Sequence, residues 1–306
     1  RVPFGTVASP FSSATLNHHL KTIGNRTALE IRKNLYVDNV LIAAEGTKEA
    51  LNKYRKTKVI FKDAAMNIRE FTSNDKNFNE CIPKEDKISD GPIKLLGITW
   101  IPEKDVIKVV QKPWQECEIT KRNILRFIAS QYDPLGLLTP TMVLFKLFLQ
   151  HLWKNNVTWD ETLNKEDEES WKSLIKGWPS DMIELPRVVV EGVNQMQLHV
   201  FTDASSVAYS AMIYAVCANA TKGETSIIFS KSRLAPIKGT SIPRLELLAI
   251  LIGVRAVKFV KEQLEYQDAP IILWSDSRCA LHWVWNHSQL LPKCIQNRVE
   301  EIRKAK

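Results

Sequence analysis

No stretch of this 306-residue chain is apolar for long enough to cross a bilayer as a helix. A span needs about 18 or more residues with few or no charges, whereas the longest apolar run, Leu247 to Val254, stops at Arg255. The N-terminus shows no basic segment followed by an apolar one, the pattern of a secretory signal. The chain opens on "RVPFGTVASPFSS" without an initiator Met and reads as a piece of something longer. Cysteine is sparse: Cys81, Cys117, Cys217, Cys279 and Cys294 form no C-x-x-C pair. That scatter argues against a zinc framework or a disulfide scaffold and predicts reduced thiols inside a cell, in cytoplasm or nucleus. There is no internal repeat and no low-complexity tract.

What is present is ordinary core material, 44% hydrophobic and 25% charged, in a length that suits two or three domains. The net charge of +8 is uneven, since residues 1–111 and 193–306 are basic and residues 112–192 slightly acidic. Two basic ends suit a chain that touches a polyanion. Ordinary solubilising charge fits the same balance.

Residues 1–111 mix helical and extended signals. "FSSATLNHHLKTI" predicts a helix, "NLYVDNVLIAA" (34–44) a hairpin with Asp38 and Asn39 at its tip, and "TKEALNKYRKT" a helix opened by Thr47 as N-cap. "MNIREFTS" and "IKLLGITWIP" read as strands around a loop at 73–91. From Thr120 the period becomes helical: "TKRNILRFIASQY", a "DPLG" turn, "TPTMVLFKLFLQHLW" with Thr139 at N-cap and Pro140 at N1, and a third helix near 164–177, followed by a loop around Pro179 to Pro186. The last segment reads as three strands ("QLHVFTD", "VAYSAMIYAV", "TSIIFSKS"), a long helix from about Pro243 to Gln263, the strand "IILWSD" and a helix through "RCALHWVWNH". The "IILW" run is apolar enough for a strand covered on both faces. Mixed α+β and α/β units are therefore expected.

Three acids in the last segment carry the chemistry. Asp203 and Asp276 end strands, where α/β sheets build their sites, and Glu246 lies among Leu245, Leu247, Leu248, Ala249 and Ile250. A helix that apolar should be buried, and a buried carboxylate is destabilising by several kcal/mol unless something compensates it. Converging hard oxygen ligands suit Mg²⁺, with Mn²⁺ as a substitute, and two such ions would serve phosphodiester cleavage. Each acid also has a plainer reading: Asp276 as the N-cap of the next helix, Asp203 as a hairpin residue, Glu246 as a first-turn partner of the helix dipole.

"FTDAS", "IPRLELLA" and "LWSDSR" together resemble the first three acid motifs of a ribonuclease H domain of the kind found in BEL/Pao-type retrotransposon polyproteins. "RVPFGTVASPF" resembles the reverse-transcriptase palm motif, "YVDN" stands where that family has Tyr-x-Asp-Asp, and "LLGITW" resembles the strand pair leading to the thumb. The resemblance implies a partial palm and start of thumb at 1–111, a helical thumb or connection segment at 112–192, and a ribonuclease H-like mixed-sheet domain at 193–306 that lacks its C-terminal elements and fourth acid. It implies Asp203, Glu246 and Asp276 as ribonuclease H metal ligands and Asp38 as a surviving polymerase ligand. The implied ancestral activities are RNA-directed DNA synthesis and Mg²⁺-dependent cleavage of RNA in RNA·DNA hybrids. The implied partners are the hybrid, a primer-template and other polyprotein segments, with no membrane.

Asn39 stands where the resemblance implies an acid. An amide oxygen can touch a metal but brings no charge, so the polymerase site is expected to have lost its chemistry while keeping a hairpin, and, with the fourth acid missing, hybrid cleavage is expected to be weak or absent. A non-catalytic nucleic-acid-binding or interaction module, using the basic ends, is the competing expectation. Other candidates carry less. His282, Trp283, Trp285 and His287 read as core before metal or base stacking, the adjacent His18 and His19 point apart, and Lys231, Arg233 and Lys238 suit either phosphate contact or a solvated loop.

Overall fold

A computed structural model describes residues 9–37, 39–88, 93–178, 183–189, 196–217, 225–266, 268–286 and 291–305. The chain forms two compact units, one of Arg1–Lys108 with Glu184–Arg187, the other of Val109–Ile183 with Val188–Lys306.

The first unit holds α1 (Ser9–Ile23), α2 (Arg26–Asn34), the hairpin β1 (Leu35–Tyr36) and β2 (Asn39–Val40), α3 (Thr47–Asp63) and α4 (Lys76–Cys81). It also holds β3 (Ile93–Leu95), β4 (Ile98–Ile101), β5 (Val106–Val109) and β6 (Ile183–Pro186), hydrogen-bonded in that order. Leu16, Leu20, Ala28, Ile31, Ile60 and Phe61 make its helical core. Several expectations are corrected here. Helix α2, unrecognised between the first helix and the hairpin, buries Thr27, Ala28 and Ile31 on one face and is capped by Asn25, which accepts the Ala28 N–H. Thr47 is inside α3, whose N-cap is Gly46; its hydroxyl instead donates to Asp75 at 2.5 Å. Asp75 caps α4 within the stretch read as loop. "MNIREFTS" is no strand beyond a single bridge between Phe71 and Lys87, and residues 183–186, read as loop, form β6.

Asp86 pins the α3 side of this unit. It is 4% exposed and accepts from Tyr54 at 2.5 Å and Lys58 at 2.7 Å. Burial pushes its carboxyl up, and the bonds from Lys58 and Tyr54 overcome this and hold it below its ordinary value. Burial, then the bond to Asp86, pushes the Tyr54 hydroxyl up to about 12. The depressed carboxyl stabilises the fold above its ordinary value near 3.8 and ceases to as pH falls through its lowered one. Asp86→Asn is expected to destabilise the unit by about 2–4 kcal/mol, because Lys58 loses its buried partner. Faster hydrogen exchange at the Phe71 and Ile88 amides, which bond across this site, is the check; unchanged protection would refute it.

In the second unit α5 (Lys121–Ser130), α6 (Thr139–Lys154) and α7 (Lys165–Lys176) close on an aromatic core. Trp171 is fully buried there against Trp114, Phe127, Phe145 and Phe148. Helix α6 begins at Thr139, one position earlier than expected, with Leu138 at N-cap. The orphan N–H groups of Leu137 and Leu138 go to the carboxylate of Asp133, at 2.8 and 2.7 Å.

The same unit holds β7 (Met196–Ala204), β8 (Ala208–Cys217), β9 (Thr225–Leu234), α8 (Ile242–Leu264), β10 (Ile271–Trp274), α9 (Arg278–Trp285) and α10 (Lys293–Arg303). The sheet order is β10-β7-β8-β9, with β10 parallel to β7 and the other pairs antiparallel. Helix α8 lies on one face, and Gly253 lets it approach so closely that a Cβ there would meet Val200 at 2.9 Å and Thr202 at 3.0 Å. The Asp133–Gly136 turn seats on β9, with the Ser230 N–H donating to the Leu135 carbonyl at 2.9 Å. Strand β10 is not covered on both faces. Ile271, Ile272 and Trp274 are exposed because β10 is the sheet edge, and the rings of His199, Phe201 and Trp274 stack along the face that Trp274 shares.

Candidate metal centre

The sheet and α8 together place three carboxylates in one spot. Asp203 stands near the end of β7, and Asp276 follows β10, which runs parallel to β7 and so delivers its end to the same edge. Helix α8 packs across β7 and β8, bringing Glu246 to that edge from about one turn inside its start. One ligand oxygen from each residue lies within 4.8 Å of the other two. That span is about twice a metal–oxygen bond of 2.0–2.6 Å.

The plainer readings of Asp276 and Glu246 do not hold, whereas Asp203 does stand in the β7–β8 hairpin, opposite Ser210. The N-cap of α9 is Ser277, whose hydroxyl accepts the Ala280 N–H at 3.3 Å, so Asp276 is free of capping. Glu246 lies beyond the first turn of α8 and is 5% exposed. Its Oε1 accepts the Ala204 N–H at 3.2 Å, while its Oε2 is buried with no hydrogen-bond partner among the described residues. Asp203 Oδ1 accepts the same N–H at 2.8 Å.

A buried carboxylate oxygen without a donor, faced by two further carboxylates, is a costly arrangement for a protein alone. Burial, then the charges of Asp276 and Asp203, push the Glu246 carboxyl above its ordinary value, and only the Ala204 amide opposes them. A divalent cation would give the orphaned oxygen a partner and turn mutual repulsion into shared ligation. The donor set, three hard oxygens, fits Mg²⁺ or Mn²⁺.

The remaining candidates separate. Asp38 lies outside the described residues, as do His287 and residues 1–8 of the palm-like motif. Asn39 sits in strand β2 opposite Tyr36, and it is Val37, not Asn39, that takes a positive φ of 54° in the turn. Trp283 packs into the α8–α9–α10 core as expected, whereas Trp285 is 63% exposed. His19 bonds the Ile60 carbonyl at 3.1 Å. Lys231 and Arg233 are exposed on β9 opposite Ala211 and Tyr209, and Lys238 is exposed in the following loop. Two features near the site carry no prior signal: the Ala204 amide shared by two carboxylates, and the unpaired Glu246 oxygen. Both depend on how closely α8 and β7 approach. No helix among the described residues is long and apolar enough to cross a membrane.

Residues 120–277 match the family model described as the Pao retrotransposon-like RNaseH-like domain, an interval that contains Asp203, Glu246 and Asp276. No curated protein matches the chain. Among solved structures, the chain is similar to the foamy viral protease-reverse transcriptase in complex with dsDNA, with 13% identity and a TM-score of 0.47, over 98% of this chain and 57% of that one. More than half of the chain thus matches one family model, across the helical segment and the sheet that holds the three acids, and the chain belongs to the Pao retrotransposon-like, ribonuclease H-like domain family.

Proposed function

We propose that the chain is a retroelement reverse transcriptase/ribonuclease H fragment whose second unit cleaves the RNA strand of RNA·DNA hybrids with Mg²⁺ or Mn²⁺. The observation that carries this reading is the buried, partnerless Oε2 of Glu246 beside Asp203 and Asp276. A cation bound there would polarise the phosphate oxygens and lower the pKa of a water so that it can attack phosphorus. Asp203 and Asp276, both exposed, hold the solvent side of the site and can adjust to substrate. Glu246, fixed by α8 and the Ala204 amide, supplies the rigid ligand and excludes water from the protein side. In this reading residues 1–111 are a partial palm and start of thumb, 112–192 a thumb or connection segment and 193–306 the nuclease domain, acting inside a cell on hybrid and alongside other polyprotein segments.

Polymerisation is lost in the same proposal. Asn39 contributes no charge where an acid would neutralise a cation, and this leaves Asp38 as the sole acid offered by that hairpin. A single experiment examines both halves. The purified chain is incubated with Mg²⁺ and either a labelled RNA·DNA hybrid or a primed template with dNTPs. Hybrid cleavage that EDTA stops, without primer extension, is the expected result. Extension that disappears in Asp38→Ala would overturn the second half. Hybrid binding that tracks salt but never Mg²⁺, with no cleavage, would favour a non-catalytic binding module derived from the retroelement instead.

A further inference from the structure

Asp276 follows a strand that is held on one side only. Strand β10 has 4 residues, lies at the sheet edge, and pairs with β7 from Ile271–Leu198 to Trp274–Phe201. Asp276 stands two positions beyond the last of those pairs, where the end of a short element opens most easily. Ligation of Mg²⁺ needs oxygens at about 2.0–2.1 Å in near-ideal geometry. A site that uses Asp276 therefore needs this strand end fixed.

One side chain does so. Thr202, 6% exposed, donates its hydroxyl to the Trp274 carbonyl at 2.9 Å, one residue past the Phe201–Trp274 pair. Thr202 immediately precedes Asp203, and Trp274 is two before Asp276, so the bond ties the two aspartate-bearing ends together just behind their carboxylates. The Thr202 methyl faces α8, since a Cβ on Gly253 would meet it at 3.0 Å. Gly253 follows Glu246 by about two turns and shares its side of the helix. A β-branched side chain has few χ1 choices, and a methyl seated against the helix aims the hydroxyl at β10. Thr202 thus links β7, α8 and β10, the three elements that bring the carboxylates to one edge.

We propose that Thr202 is a positioning residue for the metal centre, its hydroxyl setting the separation of Asp203 and Asp276 while its methyl seats on α8. The inference rests on the metal reading of the three carboxylates. Any acceptor would satisfy a buried hydroxyl, but the Trp274 carbonyl also carries the connection to Asp276.

Mn²⁺ binding to the full chain, followed by electron paramagnetic resonance and by the cation-induced rise in melting temperature, tests this in wild type, T202V, T202A and T202S. Valine keeps the methyl and loses the hydroxyl, serine does the reverse, and alanine loses both. T202V and T202A are expected to bind Mn²⁺ about tenfold more weakly, the lower end for losing a group that orients metal ligands. T202S should stay much closer to wild type. Stability without metal should rank differently, because alanine and serine empty a buried methyl site and valine does not. The T202S–T202A pair differs only in the hydroxyl, so it decides the matter even where T202V fails to fold. Affinity that follows the methyl, with T202V like wild type and T202S as weak as T202A, would overturn the role of Thr202 and leave the metal centre intact, as would equal affinities throughout. A wild-type chain that binds no Mn²⁺ overturns the metal reading and this role together.

Discussion

Glu246→Gln is expected to abolish hybrid cleavage and, in the same protein without metal, to raise the melting temperature. The two effects share one cause. In the absence of a cation, Glu246 is a buried carboxylate with one oxygen unpartnered and two aspartates facing it. Glutamine keeps the shape, still accepts the Ala204 N–H, and presents an amide that can donate to Asp203 or Asp276. Removing a buried unsatisfied charge of this kind is worth about 1–2 kcal/mol, or roughly 3–6 °C in a unit of this size. Burial and the two aspartates raise the Glu246 carboxyl above its ordinary 4.5, so the folded protein holds this proton to higher pH than the unfolded chain does. Wild-type stability therefore falls as pH rises through the raised value, and the advantage of the glutamine variant shrinks toward zero on acidification below about 4.5. Divalent cation reverses the ranking, because only the wild type has the charge to bind it. Loss of cleavage should be on the order of 10²–10³-fold, the scale of removing one preorganised electrostatic group. A glutamine variant that melts below wild type at neutral pH without metal, or cleaves at the wild-type rate, would show that the three carboxylates do not form a shared ion site.

The second large effect is structural. Gly136→Ala should destabilise the second unit by about 3–5 kcal/mol, lowering its melting temperature by roughly 10 °C. Gly136 has a φ of +75°, and a Cβ built on it falls 1.9 Å from the Ser230 carbonyl oxygen and 2.7 Å from its carbon. The obstacle is the backbone of β9, which is held on its other side by β8 through the Met212–Ser230 pair. It cannot move without tearing the sheet. The turn would have to lift away, forfeiting the Leu135–Ser230 bond and straining the nearby bond from Gln150 to the Ala235 carbonyl. That would bare an edge strand, an invitation to aggregate. Gly239 isolates the steric part: its φ is +78° but a Cβ there meets nothing within 4 Å. Gly239→Ala should therefore lose only the left-handed penalty of about 1 kcal/mol. Equal losses at the two glycines in denaturant melts would contradict the docked turn.

Much of this was legible in the chain because strong periodicity and local chemistry agree with the final fold. The strands around Asp203, the long helix around Glu246 and the acidic start of α7 are all of this kind. Misreadings cluster where short segments are decided by partners distant in sequence. "MNIREFTS" has strand-like residues but finds only the Phe71–Lys87 bridge, whereas 183–186 becomes a strand because β5 offers it an edge. Thr47 and Thr139 look like caps, yet Asp75 draws the first hydroxyl and Asp133 satisfies the amides at the start of the second helix. "IILW" suggests burial on both faces, but hydrophobicity cannot say whether a strand is central or at an edge.

The order of residues alone determined which groups could bind a cation, since only acids bounded by strand ends and an apolar helix combine negative charge with enforced burial. It also determined the family, through three short acid-bearing motifs. Tertiary structure decided whether those acids meet and which of their oxygens is left without a donor. Those are matters of ångströms between segments some 30 residues or more apart in the chain, set by how closely a glycine lets α8 settle on β7, and no local pattern encodes such a distance.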